Sequence, residues 1–241
     1  MKIIGCIPAR LNAVRLPRKP LLEIHGKPLV LHVAEAASMA KRLDHVVVVT
    51  DSEEIATIVN KAGFCAAMTS SDCQNGTERI IDYAKIHDAD VFVNIQGDEF
   101  GLQAKHIDFL IEQFTQDANA QMGTLAQALT DPIRMQDPAV VKVVTDLDQN
   151  ALYFSRHCIP IQPNLELPDS VLQHIGIYIY SRDLLRQLAT WQPTTLELIE
   201  RLEQLRVLQH GVKIKVVEVS GHRSIEVNTP ADLARARAQR V

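Results

Sequence analysis

The sequence predicts an α/β fold in which a doubly wound, mostly parallel sheet carries an inserted subdomain of strands and helices. Along the first half of the chain, short apolar segments alternate with amphipathic helical segments, as in repeated β-α units. Several apolar segments lack a polar face, which is typical of strands that helices cover on both sides. From about residue 140 the alternation changes, which indicates the insertion.

The first half of the chain contains four predicted strands and four predicted helices. The strands are KIIGCI (2–7), HVVVVT (45–50), FCAAMT (64–69) and VFVNI (91–95). The helices cover 28–41, 52–62, 77–87 and about 104–115. Ser52 and the two acidic residues after it form a pattern that caps a helix and complements its dipole.

The second half is predicted to contain strands and helices in a less regular order. The strands are VVKVVTD (140–146), ALYFSR (151–156), HIGIYIYS (174–181) and KIKVVEV (213–219), and the helices cover 196–209 and 229–240. Thr229 is expected to cap the last helix, with Pro230 in its first turn. We therefore predict a core of residues 1–149 and 213–241, with residues 150–212 inserted.

Composition narrows the class of protein. The chain has 241 residues, 46% hydrophobic and 22% charged, as in a soluble globular enzyme. The formal net charge of −4 gives no reason to expect binding to nucleic acid or to an acidic membrane, and no apolar run approaches transmembrane length. Four cysteines are scattered without metal-type spacing. Cys6 and Cys65 lie in apolar segments, so we expect core thiols and a cytoplasmic protein.

A basic loop directly follows the first strand. The segment IPARLNAVRLPRKPL places Arg10, Arg15, Arg18 and Lys19 within ten residues, between prolines that stiffen the loop. Loops at the carboxyl end of the first strand bind phosphate in α/β proteins, and such cations suit a triphosphate. The segment is neither a GxGxxG fingerprint nor a Walker A loop. It predicts a phosphate site of another kind, and the alternative is a solvated basic loop.

A polar cluster follows the buried strand VFVNI. Gln96, Asp98 and Glu99 come directly after it, at the strand end where open α/β sheets bind ligands. A carboxylate there suits a hard cation such as Mg2+, which prefers carboxylate and phosphate oxygens. Asp98 is therefore a candidate metal ligand. In the alternative interpretation, Asp98 or Glu99 caps the next helix.

Six segments together resemble the CMP-sugar synthetase family, in order along essentially the whole chain. They are IPARLNAVRLPRKPL, TSSDCQNGTER, NIQGDE, ALYFSRHCIP, HIGIYIYS and WQPTTLELIERLEQLRVL. The resemblance implies a Rossmann-like nucleotidyltransferase fold and a Mg2+-dependent reaction. In that reaction the anomeric hydroxyl of 3-deoxy-manno-octulosonate (Kdo), or of a related ulosonic acid, attacks the α-phosphate of CTP and releases pyrophosphate. It further implies a role in lipopolysaccharide or capsule synthesis and a homodimer formed through the insertion.

The resemblance also assigns residues to the two substrates. It implies that Arg10, Lys19 and Asp98 are catalytic. The implied nucleotide-binding residues are Arg10, Arg15, Lys19, Ser71, Gly76, Thr77, Arg79 and Gln96. The implied sugar-binding residues are Gln96, Arg156, His174, Tyr178, Glu203 and Gln204. Independently of the family, QNGTER predicts a helix N-terminus with N–H groups facing a ligand, and His174 and Tyr178, four apart on a strand, point the same way.

The segment IEVNTPADL departs from the family pattern GVDTPEDL. Asn228 stands at the position of a metal-binding aspartate and Glu226 at that of a glycine. Asn228 offers an oxygen without a negative charge, and Glu226, two residues earlier on the same strand face, can restore the charge. Three hypotheses stay open. Glu226 and Asn228 complete the metal site of Asp98, or Asn228 marks weak metal binding or altered chemistry, or Asn228 simply caps the last helix.

Three functions follow from these observations. The leading hypothesis is a cytidylyltransferase that forms the CMP ester of Kdo. The same reaction on amino-Kdo or another ulosonic acid is an alternative, because Asn228 and Phe100 both alter the family pattern. The alternative from a different class is a catalytically silent nucleotide-binding paralogue. The presence of Arg10, Lys19 and Asp98 argues against it, because an idle pocket has no chemical need for these groups.

Overall fold

The computed structural model describes residues 1–11, 16–161 and 168–239. Arg15, a predicted nucleotide-binding residue, lies outside the described residues. The strands are β1 (Ile3–Ala9), β2 (Glu23–Ile24), β3 (Lys27–Pro28), β4 (His45–Thr50), β5 (Cys65–Met68), β6 (Val91–Ile95), β7 (Glu99–Phe100), β8 (Met122–Leu129), β9 (Lys142–Thr145), β10 (Ala151–Ser155), β11 (Val171–Ser181), β12 (Ile214–Glu218) and β13 (Ile225–Glu226). The helices are α1 (Leu29–Ser38), α2 (Glu53–Lys61), α3 (Gly76–Ala84), α4 (Ala104–Thr115), α5 (Pro132–Gln136), α6 (Arg182–Leu188), α7 (Thr195–Glu200), α8 (Gln204–Gln209) and α9 (Pro230–Ala238).

The chain divides into two compact units. The first comprises Met1–Ile111 and His222–Val241, and the second comprises Glu112–Gly221. The predicted insertion, residues 150–212, falls inside the second unit, and its proposed boundaries stay a prediction. Within the described ranges, none of the helices combines the length and the apolar character that crossing a membrane requires.

The first unit contains the doubly wound parallel sheet that the sequence predicts. Its strands lie in the order β6-β1-β4-β5, and every pair is parallel. The chain runs from β1 outward to β4 and β5 and then returns to β6 on the other side of β1. Open α/β sheets bind ligands beyond the carboxyl ends of the strands at such a reversal. The loops that follow Ala9 and Ile95 therefore flank the expected site.

Gly97 shows how closely these two loops approach. A Cβ atom built at Gly97 would lie 2.7 Å from the carbonyl oxygen of Pro8, much closer than non-bonded carbon and oxygen atoms come. A side chain at this position would push the end of β1 away from the loop after β6. The glycine in QGDE is thus required by close backbone packing at the reversal.

The second unit contains a mixed sheet in the order β10-β9-β11-β8-β12. Its pairs are antiparallel except for β8 with β12, which is parallel. Strand β8 is not predicted from the sequence, because the segment MGTLAQAL has Thr124 as its one β-branched residue and is otherwise rich in small and unbranched residues. Gly123 in β8 lies against β11, where a Cβ atom would come within 2.9 Å of the Ile179 side chain. The small residues of β8 therefore fit a crowded sheet surface.

The predicted helix over 196–209 is wrong as a single element. It is broken into α7 and α8 at Arg201, which adopts a left-handed conformation with φ 55°. The guanidinium of Arg156 donates to the carbonyl oxygens of Glu200 at 2.8 Å and Arg201 at 3.4 Å. These carbonyls are thus bound by a side chain 44 residues away or more, a contact that helical periodicity does not reveal.

The predicted burial of the two apolar-segment cysteines is half right. Cys6 is buried in β1, and burial raises the pKa of its thiol. Cys65 is exposed, because β5 is the last strand in the sheet order of the first unit and its small side chains are incompletely covered. The prediction of a core thiol at Cys65 is therefore wrong.

Candidate active site

The basic loop and the start of α3 meet at the reversal of the first sheet. Arg10 follows β1, and its Nη1 donates to the carbonyl oxygen of Gln74 at 3.0 Å. A Cβ atom at Gly76 would lie 3.3 Å from the Pro8 side chain, so α3 begins directly against the end of β1. The structure thus brings together Arg10 and the segment TSSDCQNGTER, which were predicted to bind one nucleotide. Arg18, the remaining described arginine of the loop, forms an ion pair with Glu54.

The first turn of α3 is capped by Asn75. Its side chain accepts a hydrogen bond from the Glu78 backbone N–H at 2.8 Å, and the Glu78 carboxylate accepts one from the Asn75 side chain at 3.0 Å. Thr77, a predicted nucleotide-binding residue, lies inside the helix and is half-buried. Ser71 is exposed in the loop before α3. The N-terminus of α3 therefore lies beside the loop after β1, and helix N-termini are able to bind anions.

Arg79 lies behind this surface and not on it. The residue is only 2% exposed. Its guanidinium forms an ion pair with Asp51 at 3.1 Å and donates to the Thr69 hydroxyl at 2.7 Å. In this arrangement Arg79 connects α3 to the loops after β4 and β5. Its predicted contact with the cytidine stays a prediction.

Gln96 begins the loop after β6. Its Nε2 donates to the Oδ1 atom of Asn94 at 3.3 Å, and Asn94 is itself buried in the strand. The half-buried amide of Gln96 is thus oriented by the strand that carries it. This placement at the sheet reversal suits a residue that contacts a substrate.

Lys19 and Asp98 form the centre of the predicted metal site. The Lys19 ammonium lies 2.5 Å from Asp98 Oδ2 and donates to Asn228 Oδ1 at 3.0 Å. Asn228 Nδ2 in turn donates to Glu226 Oε1 at 2.5 Å. Four residues predicted from three separate segments therefore lie in one cluster. The terminal helix is capped by Thr229, whose hydroxyl accepts from Asp232 N, so the interpretation of Asn228 as its cap is wrong.

The cluster has the oxygen donors that Mg2+ requires. Asp98 Oδ1 is buried and has no hydrogen-bond partner among the described residues. An unsatisfied buried carboxylate oxygen is costly, and a cation would satisfy it. In the described ranges no three His, Cys, Asp or Glu side chains form a ready-made metal cluster. Mg2+ commonly uses one or two carboxylates and completes its shell with water and substrate phosphates, so this set fits the ion.

A buried polar chain that sequence reasoning missed lies next to Asp98. Glu99 accepts a hydrogen bond from Ser224 Oγ, Ser224 Oγ lies 2.5 Å from His222 Nε2, and His222 Nδ1 lies 3.1 Å from His106 Nδ1. Burial and the neighbouring Glu226 raise the pKa of Glu99 to about 8. The next helix, α4, begins at Ala104, too far along the chain for Asp98 or Glu99 to cap it, so that interpretation is wrong.

The second unit brings together three of the predicted sugar-binding residues. The rings of His174 and Tyr178 lie 5.3 Å apart, which confirms that they face the same way despite a bulge in β11. The Tyr178 hydroxyl donates to Gln204 Oε1 at 3.2 Å. Gln204 Nε2 is buried without a partner in the described part of the chain. This donor, aimed into a polar cluster, suits a hydroxyl-rich ligand.

His174 is held as a neutral imidazole. Its Nε2 lies 2.9 Å from the buried Thr124 hydroxyl, and that hydroxyl donates to the Ile177 carbonyl oxygen at 2.8 Å. The hydroxyl must therefore accept from His174 Nε2–H, which leaves Nδ1 without a proton. Burial lowers the pKa of His174 to about 3. The ring is thus a hydrogen-bonding group and not a cation.

Arg156 lies at the end of β10, and its guanidinium is bonded to backbone. Besides the carbonyls of Glu200 and Arg201, it donates to the Pro138 carbonyl oxygen at 2.9 Å. Lys142, which is fully buried, donates to the Arg156 carbonyl oxygen at 2.5 Å. Arg156 therefore organises the corner between α7 and α8. Glu203, the remaining predicted sugar residue, is exposed beside Gln204.

Comparison with known proteins agrees with this architecture. The sequence profile of the cytidylyltransferase family matches residues 4–214. The 3-deoxy-manno-octulosonate cytidylyltransferase of Geobacter metallireducens is 43% identical over 97% of this chain and 95% of its own length. The protein of the same name from Geotalea uraniireducens is 42% identical over 98% and 97%.

Solved structures give the same relationship. CMP:2-keto-3-deoxy-manno-octonic acid synthetase, solved in complex with CTP, superposes with a TM-score of 0.93 and 37% identity over 99% of this chain and 98% of its own. A cytidylyltransferase from Leptospira borgpetersenii has a TM-score of 0.67 at 18% identity, over 99% of this chain and 86% of its own, and therefore shares the fold.

Proposed function

Because the chain belongs to the cytidylyltransferase family, we propose that it transfers CMP from CTP to the anomeric hydroxyl of Kdo and releases pyrophosphate. The observation that carries the proposal is similarity along nearly the full length of both chains to proteins named for this reaction. The arrangement of the first unit is compatible with it, because cations and a helix N-terminus surround the reversal of the parallel sheet.

In the first unit, we assign Arg10 and Lys19 to the phosphates of CTP. Both residues follow β1, where their positive charges offset the negative charge of the triphosphate and of the leaving pyrophosphate. The N-terminus of α3 adds backbone N–H groups to the same surface. Gln96, oriented by Asn94, offers an amide to the base or to the sugar acid.

We propose that Mg2+ is the metal and that Asp98, Asn228 and Glu226 hold it. The unsatisfied Oδ1 atom of Asp98 and the amide oxygen of Asn228 are hard oxygen ligands. When bound, Mg2+ supplies positive charge that stabilises the reacting phosphate oxygens. In the structure the Lys19 ammonium donates to both Asp98 and Asn228, so a metal that takes these oxygens displaces it towards the phosphates of CTP.

In the second unit, we assign Arg156, His174, Tyr178, Glu203 and Gln204 to the sugar acid. A polyhydroxy acid needs donors and acceptors for its hydroxyls. The cluster provides the unprotonated Nδ1 of His174 as an acceptor, the Tyr178 hydroxyl and the buried Nε2 donor of Gln204. The positive charge of Arg156 favours an anionic substrate, although its N–H groups lie on backbone carbonyls in this structure.

Release of pyrophosphate tests the proposal. The purified protein should release pyrophosphate when CTP, Kdo and Mg2+ are all present. No pyrophosphate should be released when any one of these components is omitted. Parallel reactions with amino-Kdo and with a nine-carbon ulosonic acid measure the preference for the sugar. Binding of CTP without release of pyrophosphate on any of these sugars would show a silent paralogue and would contradict the proposal.

We also propose a homodimer and a cytoplasmic role in lipopolysaccharide or capsule synthesis. In the second unit Leu152, Leu198 and Ile199 are exposed apolar residues, which favours an interface there. Of the apolar residues of 196–209, Leu202 and Leu205 are buried within the chain and are not available. Light scattering should give twice the chain mass of 26.9 kDa, and a monomer at micromolar concentration would contradict the homodimer.

A further inference from the structure

Four buried or half-buried side chains behind Asp98 form a continuous hydrogen-bonded series, which we call the Glu99 chain. It consists of Glu99, Ser224, His222 and His106. Glu99 is 5% exposed, His106 4% and His222 9%. Its members come from β7, from α4 and from the segment between β12 and β13. All of them belong to the first unit.

The donor directions of the Glu99 chain follow from the Ser224 hydroxyl. Its single proton is donated to Glu99 Oε2, so its oxygen accepts from His222 Nε2–H. Burial and the neighbouring His106 lower the pKa of His222 to about 4, which makes the ring neutral. Its Nδ1 therefore accepts from His106 Nδ1–H. The donors of Ser224, His222 and His106 therefore all point along the Glu99 chain towards Glu99.

Glu99 is mechanically connected to Asp98. Glu99 begins β7, and Asp98 is the turn residue directly before it. Glu99 points to Ser224, while Asp98 points to Lys19. The backbone of the same segment pairs with β13, where Glu99 lies opposite Glu226 and Val227 N donates to Asp98 O at 3.0 Å.

An apolar residue at position 99 would anchor β7 by packing alone and would need no buried hydrogen bonds. Two glutamates directly opposite each other on paired strands are destabilising, and burying a carboxyl group costs energy unless it is hydrogen-bonded. The donors of Ser224 and His222 offset that cost. A network whose members are satisfied by one another fixes a single geometry. In this case the fixed geometry is the distance between Asp98, directly before β7, and Asn228, two residues after β13.

We propose that Ser224 and His222, acting through Glu99, are positioning residues that fix Asp98 and Asn228 for a shared cation. The inference rests on the proposed function, because it concerns the metal site of that reaction. Loss of a partner that orients a metal ligand typically weakens metal affinity about 10- to 100-fold. A purely structural role would lower stability and leave metal affinity unchanged.

Substitution of Ser224 tests the proposal. Ser224→Ala removes two bonds of the Glu99 chain, and Ser224→Thr keeps the hydroxyl. Ser38→Ala is the matched control, because Ser38 Oγ donates to the Ala34 carbonyl oxygen at 2.8 Å in α1, away from the site. Binding of Mn2+ in the presence of CTP is measured from the electron paramagnetic resonance signal of free Mn2+, and the thermal midpoint of each variant is recorded.

We expect Ser224→Ala to weaken Mn2+ binding about tenfold, whereas Ser224→Thr and Ser38→Ala stay near wild type. His222→Phe fills the same space without the donors and should match Ser224→Ala, so that the test does not depend on one variant folding. If Ser224→Ala and His222→Phe both bound Mn2+ as tightly as the wild type, this inference would be overturned and the proposed function would stand. A wild-type protein that neither binds Mn2+ with CTP nor releases pyrophosphate would overturn the proposed function as well.

Discussion

Lys19→Met should make the nucleotide-free protein bind a divalent metal more tightly. In the structure the Lys19 ammonium lies 2.5 Å from Asp98 Oδ2, and the two side chains are only 18% and 14% exposed. The ammonium also donates to the Asn228 oxygen. A metal that uses Asp98 and Asn228 must therefore displace a cation that already contacts both. Methionine keeps the length of the lysine side chain and removes its charge.

The expected magnitude follows from the contact that the metal must break. A hydrogen bond to a charged group contributes about 1.5–3 kcal/mol net, and each 1.4 kcal/mol is about tenfold in a dissociation constant. Metal affinity without nucleotide should therefore rise about 10- to 100-fold. In the wild type, CTP should have a similar effect, because its phosphates compete with Asp98 for the Lys19 ammonium. Lys19→Met should lose this coupling and bind CTP more weakly.

Titration with Mn2+, followed by the resonance signal of the free ion with and without CTP, measures both effects. Lys27→Met is the matched control, because Lys27 Nζ lies 2.5 Å from a Glu35 carboxylate oxygen outside the site. Asp98→Asn should bind Mn2+ poorly in either condition and lose about two orders of magnitude or more in turnover. If Lys19→Met bound Mn2+ no more tightly than the wild type or Lys27→Met, competition for Asp98 would be refuted.

Further predictions concern substrate assignment, the unusual metal ligands and pH. Arg10→Ala should raise the Michaelis constant for CTP about tenfold, and Arg156→Ala should raise the Michaelis constant for the sugar acid about tenfold. If steady-state kinetics showed that both substitutions raise the Michaelis constant for the same substrate, the assignment would be contradicted. Glu226→Gln should raise the Mg2+ concentration needed for half-maximal rate, whereas Asn228→Asp should be neutral or harmful because it adds repulsion when no metal is bound; an unchanged Glu226→Gln enzyme would rule out compensation. The pKa of His174 is lowered to about 3, so the unfolded chain binds its proton first, and the free energy of unfolding should fall as pH drops below about 6.5, by up to about 1.4 kcal/mol per pH unit. The free energy of unfolding, measured with urea at several pH values, should depend less steeply on pH in His174→Gln than in the wild type. An equal pH dependence in the two proteins would refute the assignment of this effect to His174.

The strongly patterned elements were predictable from the sequence. The mostly apolar runs of β4 and β6 and the amphipathic α4 match their predicted ranges. Strand β8 was missed, because glycine and alanine give no strand signal although they fit its crowded position. The break at Arg201 was missed because it depends on Arg156, which is distant in sequence. Short-range patterns record burial and local propensity, but not contacts between distant segments.

The site was predictable where residues follow a strand end. The family resemblance implied that Asp98 and Lys19 belong to one catalytic site, and the structure places them in contact. The Glu99 chain could not be foreseen, because Ser224 and His222 are an ordinary serine and histidine until β7 and β13 pair. Its only sequence signal was Glu99 itself, an acid directly after a buried strand.

The fate of the α-phosphate of CTP tests the central claim most directly. CTP labelled with 32P at the α-position is incubated with Kdo, Mg2+ and the wild-type protein, and the products are separated by anion exchange and identified by mass. The proposed reaction predicts that the label enters a phosphodiester of CMP and Kdo, while CTP labelled at the γ-position yields labelled pyrophosphate. Label found only in unreacted CTP, or in free CMP with Kdo unmodified, would contradict it.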